Sequence, residues 1–227
     1  MNTVKFYITV LLLLLYSLHS HAKLKQLDVP KITQALETHY GPTAKQRARL
    51  WFRLIDQARG LDELDKIIKV NAFFNQYTYI TDIKLWGHVN YWAKPLEFIG
   101  VGAGDCEDFS IAKYFTLLYL GVSEEKLRIT MVKAPKFNQN HMILSYYETA
   151  SSTPLILDNL DLDVKKADQR PDLIPVYSFN GRQLWLNKEK TQGVLAGSSN
   201  QLTLWNELQH RLGVDQLNIP ILTLEPL

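Results

Sequence analysis

An α+β fold is what the order of segments predicts, and three observations carry it. Apolar residues recur at helical spacing through the first half of the chain. Short β-branched and aromatic runs separated by polar turns fill the second half, and Asn180-Gly181 sits between two such runs as a hairpin turn. Helices first and strands afterwards, with no internal repeat, predict helices packed on an antiparallel sheet in one domain.

The opening stretch, MNTVKFYITVLLLLLYSLHSHA, stands apart. Lys5 supplies a positive start, Phe6 to Tyr16 an apolar run too short for a comfortable membrane span, and Ser20-His21-Ala22 a small-x-small cleavage site. Residues 1–22 therefore read as a secretory signal peptide. Residues 23–227 are expected to form a single exported domain that does not span a membrane.

Three helices follow. "DVPKITQALETHYG" carries Asp28 and Pro30 as a start and Gly41 as a stop. "TAKQRARLWFRLIDQARG" starts at Thr43, with Leu50, Leu54 and Ile55 at helical spacing before Gly60. "LDELDKIIKVNAFFNQY" puts Leu64, Ile67, Ile68 and Phe74 on one stripe. "TDIKLWGHVNYWAKPLEFIGVGAG" lacks a sustained period and reads as a long ordered loop. "CEDFSIAKYFTLLYLG" is a further helix, with Phe109, Ala112, Phe115, Leu117 and Leu118 apolar and Gly121 as its stop. Strands are expected at 127–134, 141–148 and 154–160, then a hairpin over "PVYSFNGRQLWLN". "KEKTQGVLAGSSN" reads as a loop and "QLTLWNELQHRLG" as a closing helix.

Charge excludes one class of partner. The chain carries 25 Lys+Arg against 23 Asp+Glu with no basic run, so nothing in it suits nucleic acid. Cysteine usage narrows the rest. An exported chain with one cysteine cannot staple itself, so Cys106 is either a small core residue or a thiol in use.

Cysteine catalysis needs a base within reach and a third group to orient it. His39 and His210 fall near helix ends, where an imidazolium suits the dipole, and His88 sits among aromatics where packing is its simplest role. His141 opens a strand directly after the turn "KFNQN", and Asp158 closes the apolar run "PLIL", where a carboxylate is costly unless paired or solvated. Helix start, strand start and strand end are positions that close into a triad, although spacing alone leaves packing as the alternative.

The motifs are more specific than the spacing. "WGHVNYWAKPLEFIGVGAGDCEDFSIAKYFTLLYLG", "KLRITMVKAPKFNQNHMILSYY" and "PLILDNL" resemble the bacterial transglutaminase-like cysteine proteinases, and within them the LapG-type periplasmic adhesin proteases. The resemblance runs from about Asn71 to Leu160. It implies a papain-like, transglutaminase-like core with Cys106 as nucleophile, His141 as base and Asp158 as orienting acid. The Cys106 N–H is a natural oxyanion donor, with a second sought in the Trp86 loop.

Asp105, Glu107 and Asp108 crowd the sulfur, and negative charge opposes a thiolate. Asp105 and Asp108 have the spacing of a capping box, which is sufficient reason for acids at a helix start. The other reading is a calcium site, because Ca²⁺ takes six to eight oxygens and cancels the local charge. The resemblance favours calcium, since LapG-type proteases are calcium-dependent. It also implies a periplasmic location and a large surface adhesin as substrate, cut in its N-terminal region to release cells from a biofilm. The regulator it implies is the periplasmic domain of an inner-membrane cyclic-di-GMP receptor; exposed aromatics would suit such docking, but Trp86, Trp92, Trp185 and Trp205 are of a type more often found in the core. Two rivals stay open: a transglutaminase or deamidase using the same triad on glutamine, and a catalytically silent, calcium-stabilised binding module.

Overall fold

The computed structural model describes residues 27–187, 193–222 and 224, so the expected signal peptide lies outside the described residues. Helices α1 (Val29–Tyr40), α2 (Pro42–Ala58) and α3 (Glu63–Phe74) come first. Asp28 caps α1 by accepting the Lys31 N–H at 3.0 Å, and Gly41, at φ 86°, ends it as expected. Asp62 caps α3 in the same way through the Asp65 N–H at 2.8 Å.

Two expected stripes need correction. In α2 the buried face is Ala44, Ala48, Trp51, Phe52, Ile55 and Ala58, while Leu50 points to solvent. In α3 it is Ile67, Val70, Asn71 and Phe74, leaving Leu64 and Ile68 about half exposed. Aliphatic periodicity placed Ile55, Ile67 and Phe74 correctly and Leu50, Leu64 and Ile68 wrongly, because small alanines and a buried asparagine line the rest of the contact. Asn71 is tolerated inside because its Nδ2 donates to the Leu162 carbonyl at 2.9 Å.

The segment read as one long loop is structured. It holds β1 (Thr78–Tyr79), α4 (Asp82–Leu85), α5 (Pro95–Val101) and β2 (Ala103–Gly104), with β1 and β2 paired in parallel. Pro95 in the first turn, Glu97 accepting the Lys94 N–H at 2.8 Å and left-handed Gly102 (φ 82°) bound α5 by ordinary start and stop chemistry. At only seven residues, the helix is too short for a periodic signal.

Helix α6 (Cys106–Tyr119) is central, buried from Glu107 through Tyr114. Strands β3 (Leu127–Ala134), β4 (Gln139–Tyr146), β5 (Leu155–Leu157), β6 (Lys165–Lys166), β7 (Ile174–Phe179), β8 (Gln183–Leu186) and β9 (Val194–Ser198) form one antiparallel sheet ordered β6-β5-β4-β3-β7-β8-β9. β9 corrects the expected loop at its second half, and residues 188–192 lie outside the described residues. The β7–β8 turn falls at Asn180-Gly181, where the Asn180 Oδ1 accepts the N–H groups of Arg182 and Gln183. The closing helix α7 (Thr203–His210) packs fully buried Trp205 against Phe179 and Tyr114.

The main core lies between the helices and one face of the sheet. Trp51 on α2 and Thr116 on α6 meet there through an indole N–H bond of 2.9 Å. Val132, Ala134, Ile143, Ile156 and Leu173 form a smaller cluster of their own. Trp86, Trp92, Trp185 and Trp205 are all at most 8% exposed, so they are the core residues that their type suggests and not docking contacts. Among the described residues no helix is long and apolar enough to cross a membrane.

Candidate active site

Cys106 is the first residue of α6, with Asp105 as N-cap. Asp108 closes the helix start from within. Its Oδ2 accepts the Asp105 N–H at 3.2 Å, and its Oδ1 accepts the Ala93 N–H at 2.8 Å, tying the helix to the preceding segment. The free amides and dipole of the first turn surround the sulfur with positive potential.

Strand register brings the second element. β4 begins at Gln139, two residues before the expected start, and β5 covers it only from Leu144 to Tyr146, so His141 and Met142 run beyond the end of β5. There the Ser110 hydroxyl of α6 lies 2.9 Å from the Cys106 carbonyl and 3.0 Å from the Met142 carbonyl. The Met142 main chain faces the cysteine sulfur as well, and its N–H favours the thiolate. Asp158 follows β5 directly, and its Oδ1 lies 2.7 Å from His141 Nε2, with both side chains buried.

Asp158 is held on every side. Leu160 donates its N–H to Oδ1 at 3.0 Å, Arg170 donates to Oδ2 at 2.9 Å, and Asn75 donates to the main-chain carbonyl at 2.7 Å. Burial pushes the carboxyl up, but the His141 hydrogen bond and charge, the Leu160 N–H and Arg170 outweigh it and hold the group at about 2. The structure thus brings His141 and Asp158 together and sets Cys106 against the residue after His141. The hydrogen bond donated by the thiol goes elsewhere, to Glu107 Oε2 at 3.0 Å.

The acids form two groups that share Asp105. One is Asp105, Cys106 and Glu107; the other is Asp82, Asp105 and Asp108, each with ligand atoms within 4.8 Å of one another. Burial, then Glu107 and Asp108, drive the Asp105 carboxyl far up, and burial with Glu107 and Asp82 does the same to Asp108. Asp82 rises to about 7 through burial, despite the Tyr91 N–H bond that favours its charge. The Cys106 thiol is pushed well up by burial, then by Glu107 and Asp105, with the Met142 N–H opposing. Four acids this close, mostly buried, repel one another unless protons or a cation neutralise them.

The donor set fits a hard cation. Asp82 Oδ1 and Asp105 Oδ1 are both buried without a hydrogen-bond partner, although each belongs to the same three-acid group. Orphaned carboxylate oxygens converging at one point are what an oxygen-ligated divalent ion needs. Asp108 caps the helix start while belonging to the same acid group, both of its oxygens accepting backbone amides. Asp82 was not foreseen from sequence, because it lies in the segment read as loop, far from the GDCED motif. Arg170 and Tyr79 were not foreseen either; the Tyr79 hydroxyl is raised to about 12 by burial and by the nearby Cys106, Asp105, Glu107 and Asp82.

The family model for "bacterial transglutaminase-like cysteine proteinase BTLCP" matches residues 52–192. The chain belongs to the bacterial transglutaminase-like cysteine proteinases. Among solved structures of similar proteins, EGTA-treated Legionella pneumophila LapG is 45% identical, with 82% of this chain and 97% of that chain covered and a TM-score of 0.72. The calcium-bound form of the same protein is 44% identical over 82% and 99% of the two chains, with a TM-score of 0.71. No curated protein matches the chain. This proteinase shares with those structures the α+β core anticipated from its motifs, helices packed on an antiparallel sheet.

Proposed function

We propose that the protein is a calcium-dependent cysteine endopeptidase of the periplasm, made with a cleaved signal at residues 1–22 and working as one domain over 23–227. Its substrate is the N-terminal region of a large surface adhesin, whose cleavage disperses a biofilm. The observation that carries the reading is the buried His141–Asp158 pair, with the residue after His141 bonded through its carbonyl to Ser110 on the cysteine's helix.

The chemistry follows from protonation. Asp158 is ionised at neutral pH and accepts only, so His141 carries its proton on Nε2 and keeps the Nδ1 lone pair for the thiol. Nδ1 takes the proton of Cys106, the thiolate attacks the peptide carbonyl, and the Cys106 N–H at the helix start stabilises the oxyanion. The imidazolium returns its proton to the leaving amine, and water then hydrolyses the acyl-enzyme. Asp82, Asp105, Glu107 and Asp108 would hold Ca²⁺, which when bound offsets the acidic charge that otherwise opposes a thiolate. Membership of the family and kinship with a LapG solved in calcium-bound form support this assignment. The regulator is the periplasmic domain of an inner-membrane cyclic-di-GMP receptor, docking on surfaces other than the buried tryptophans.

The test is incubation of the purified chain with an N-terminal adhesin fragment, with and without chelator, read by intact mass. Two fragments summing to substrate plus water, lost on chelation and in Cys106→Ala, are expected. An uncut fragment refutes the protease, and a glutamine peptide that instead gains an added amine assigns acyl transfer.

A further inference from the structure

Arg170 lies outside the three stretches that carry the resemblance, though within the residues the family model matches, and its guanidinium reaches the centre of the site. Its side chain is 6% exposed, and Nη2 is shared between Asp158 Oδ2 at 2.9 Å and Asp172 Oδ2 at 2.8 Å, while Nε bonds Asp172 Oδ1 at 3.0 Å. Asp161 stands 3.8 Å from Nε. A buried guanidinium needs a carboxylate partner, and Asp172 alone meets that need at the outer end of the fork. The bond to Asp158 is additional and directed.

A carboxylate is free to turn about its last torsion unless both oxygens are held. Oδ1 is occupied by His141 Nε2 and the Leu160 N–H; Oδ2 is held by Arg170. We propose that Arg170 is a positioning residue for the reaction, locking Asp158 through Oδ2 so that Oδ1 stays presented to His141 Nε2. This rests on the protease reading above.

The other charged groups facing Asp158 do not duplicate the contact. His141 faces it from β4. Lys113 faces it from α6, its amine lowered by burial to about 7, but Lys113 donates to Asn75 Oδ1 at 2.7 Å, and Asn75 reaches only the Asp158 main chain. Asp172 and Asp161 lie on the Arg170 side. Among the described residues Arg170 is the one permanent cation bonded to the carboxylate itself.

The experiment pairs steady-state cleavage of the N-terminal adhesin fragment with the ¹⁵N–¹H NMR signal of the His141 Nε2 proton, which needs no substrate. Arg170→Met is expected to lower kcat about 10- to 100-fold with KM within about twofold, and to shift or broaden the His141 signal. Arg170→Lys regains part of both. Asp172→Asn removes the outer partner while leaving the Asp158 bond, and keeps the His141 signal in place. Wild-type kcat in Arg170→Met overturns the proposal, as does a lost kcat with an unmoved signal, or an Asp172→Asn variant that mimics Arg170→Met. If the wild-type enzyme leaves the fragment whole, the protease reading fails while the NMR comparison still decides the role of Arg170.

Discussion

His141 Nε2 and Asp158 Oδ1 meet at 2.7 Å, two buried side chains, one the third residue of β4 and the other the residue just after β5. The pair fixes which imidazole nitrogen bears the proton, so truncation should damage chemistry rather than binding. Asp158→Ala is expected to lower kcat by about two to four orders of magnitude with little change in KM. Steady-state kinetics on the adhesin fragment decide it, and unchanged kcat would remove Asp158 from the mechanism.

The same carboxylate links stability to acid. Asp158 sits at about 2 in the native protein against ~3.9 in an unfolded chain, so its contribution is fully present above pH ~4 and lost as pH falls through 2. That contribution is on the order of 2 kcal/mol. Urea unfolding of wild type and Asp158→Asn should differ most at pH 5 and converge towards pH 2; a constant gap would sink the linkage.

Asp82 acts in the opposite sense while the acids lack a cation. Its carboxyl is raised to about 7, so the stability tied to it is present below pH ~4 and lost as pH rises through 7. Chelated protein should therefore melt at lower temperature at pH 8 than at pH 6, and added Ca²⁺ should raise Tm most at pH 8. Asp82→Asn should weaken Ca²⁺ binding about 10- to 100-fold by calorimetry. Wild-type affinity in that variant would exclude Asp82 as a ligand.

Thiol reactivity gives an independent reading of the same charges. Burial and the carboxylates of Glu107 and Asp105 hold the Cys106 thiol up, and Glu107 accepts its hydrogen. Alkylation by iodoacetamide at pH 7 should run about tenfold or more faster in Ca²⁺ than in EGTA. Equal rates would mean that the acids do not govern the thiol.

Gly104 illustrates why the cysteine follows a glycine-rich segment. A Cβ there would come within 2.8 Å of Phe98 Cδ2 and of Asp108 Cβ, and closer still to Asp108 Oδ2. Gly104→Ala should destabilise the protein by about 1–3 kcal/mol and lower Ca²⁺ affinity by displacing Asp108, checked by thermal melting and calorimetry. A neutral result would show that the segment yields more readily than its packing implies.

The helix boundaries at Asp28 and Gly41, the β3 run over Leu127–Ala134, the lone thiol at a helix start and the pairing of a histidine and an aspartate near the ends of two strands were all legible in the sequence by itself, with the start of β4 misplaced by two residues. Each is written in local chemistry: caps, stops, β-branched runs and motif residues act within a few positions. What the tertiary structure alone decided is which distant residues converge. Asp82 joins Asp105 and Asp108, Arg170 reaches Asp158, and Leu50 and Ile68 turn outward although their residue type suggested the core. Short α5 carried good start and stop residues but too few turns to show a period. Spatial neighbourhood is set by how elements pack, and no spacing along the chain encodes that a carboxylate before Leu85 will share a site with one after Gly104.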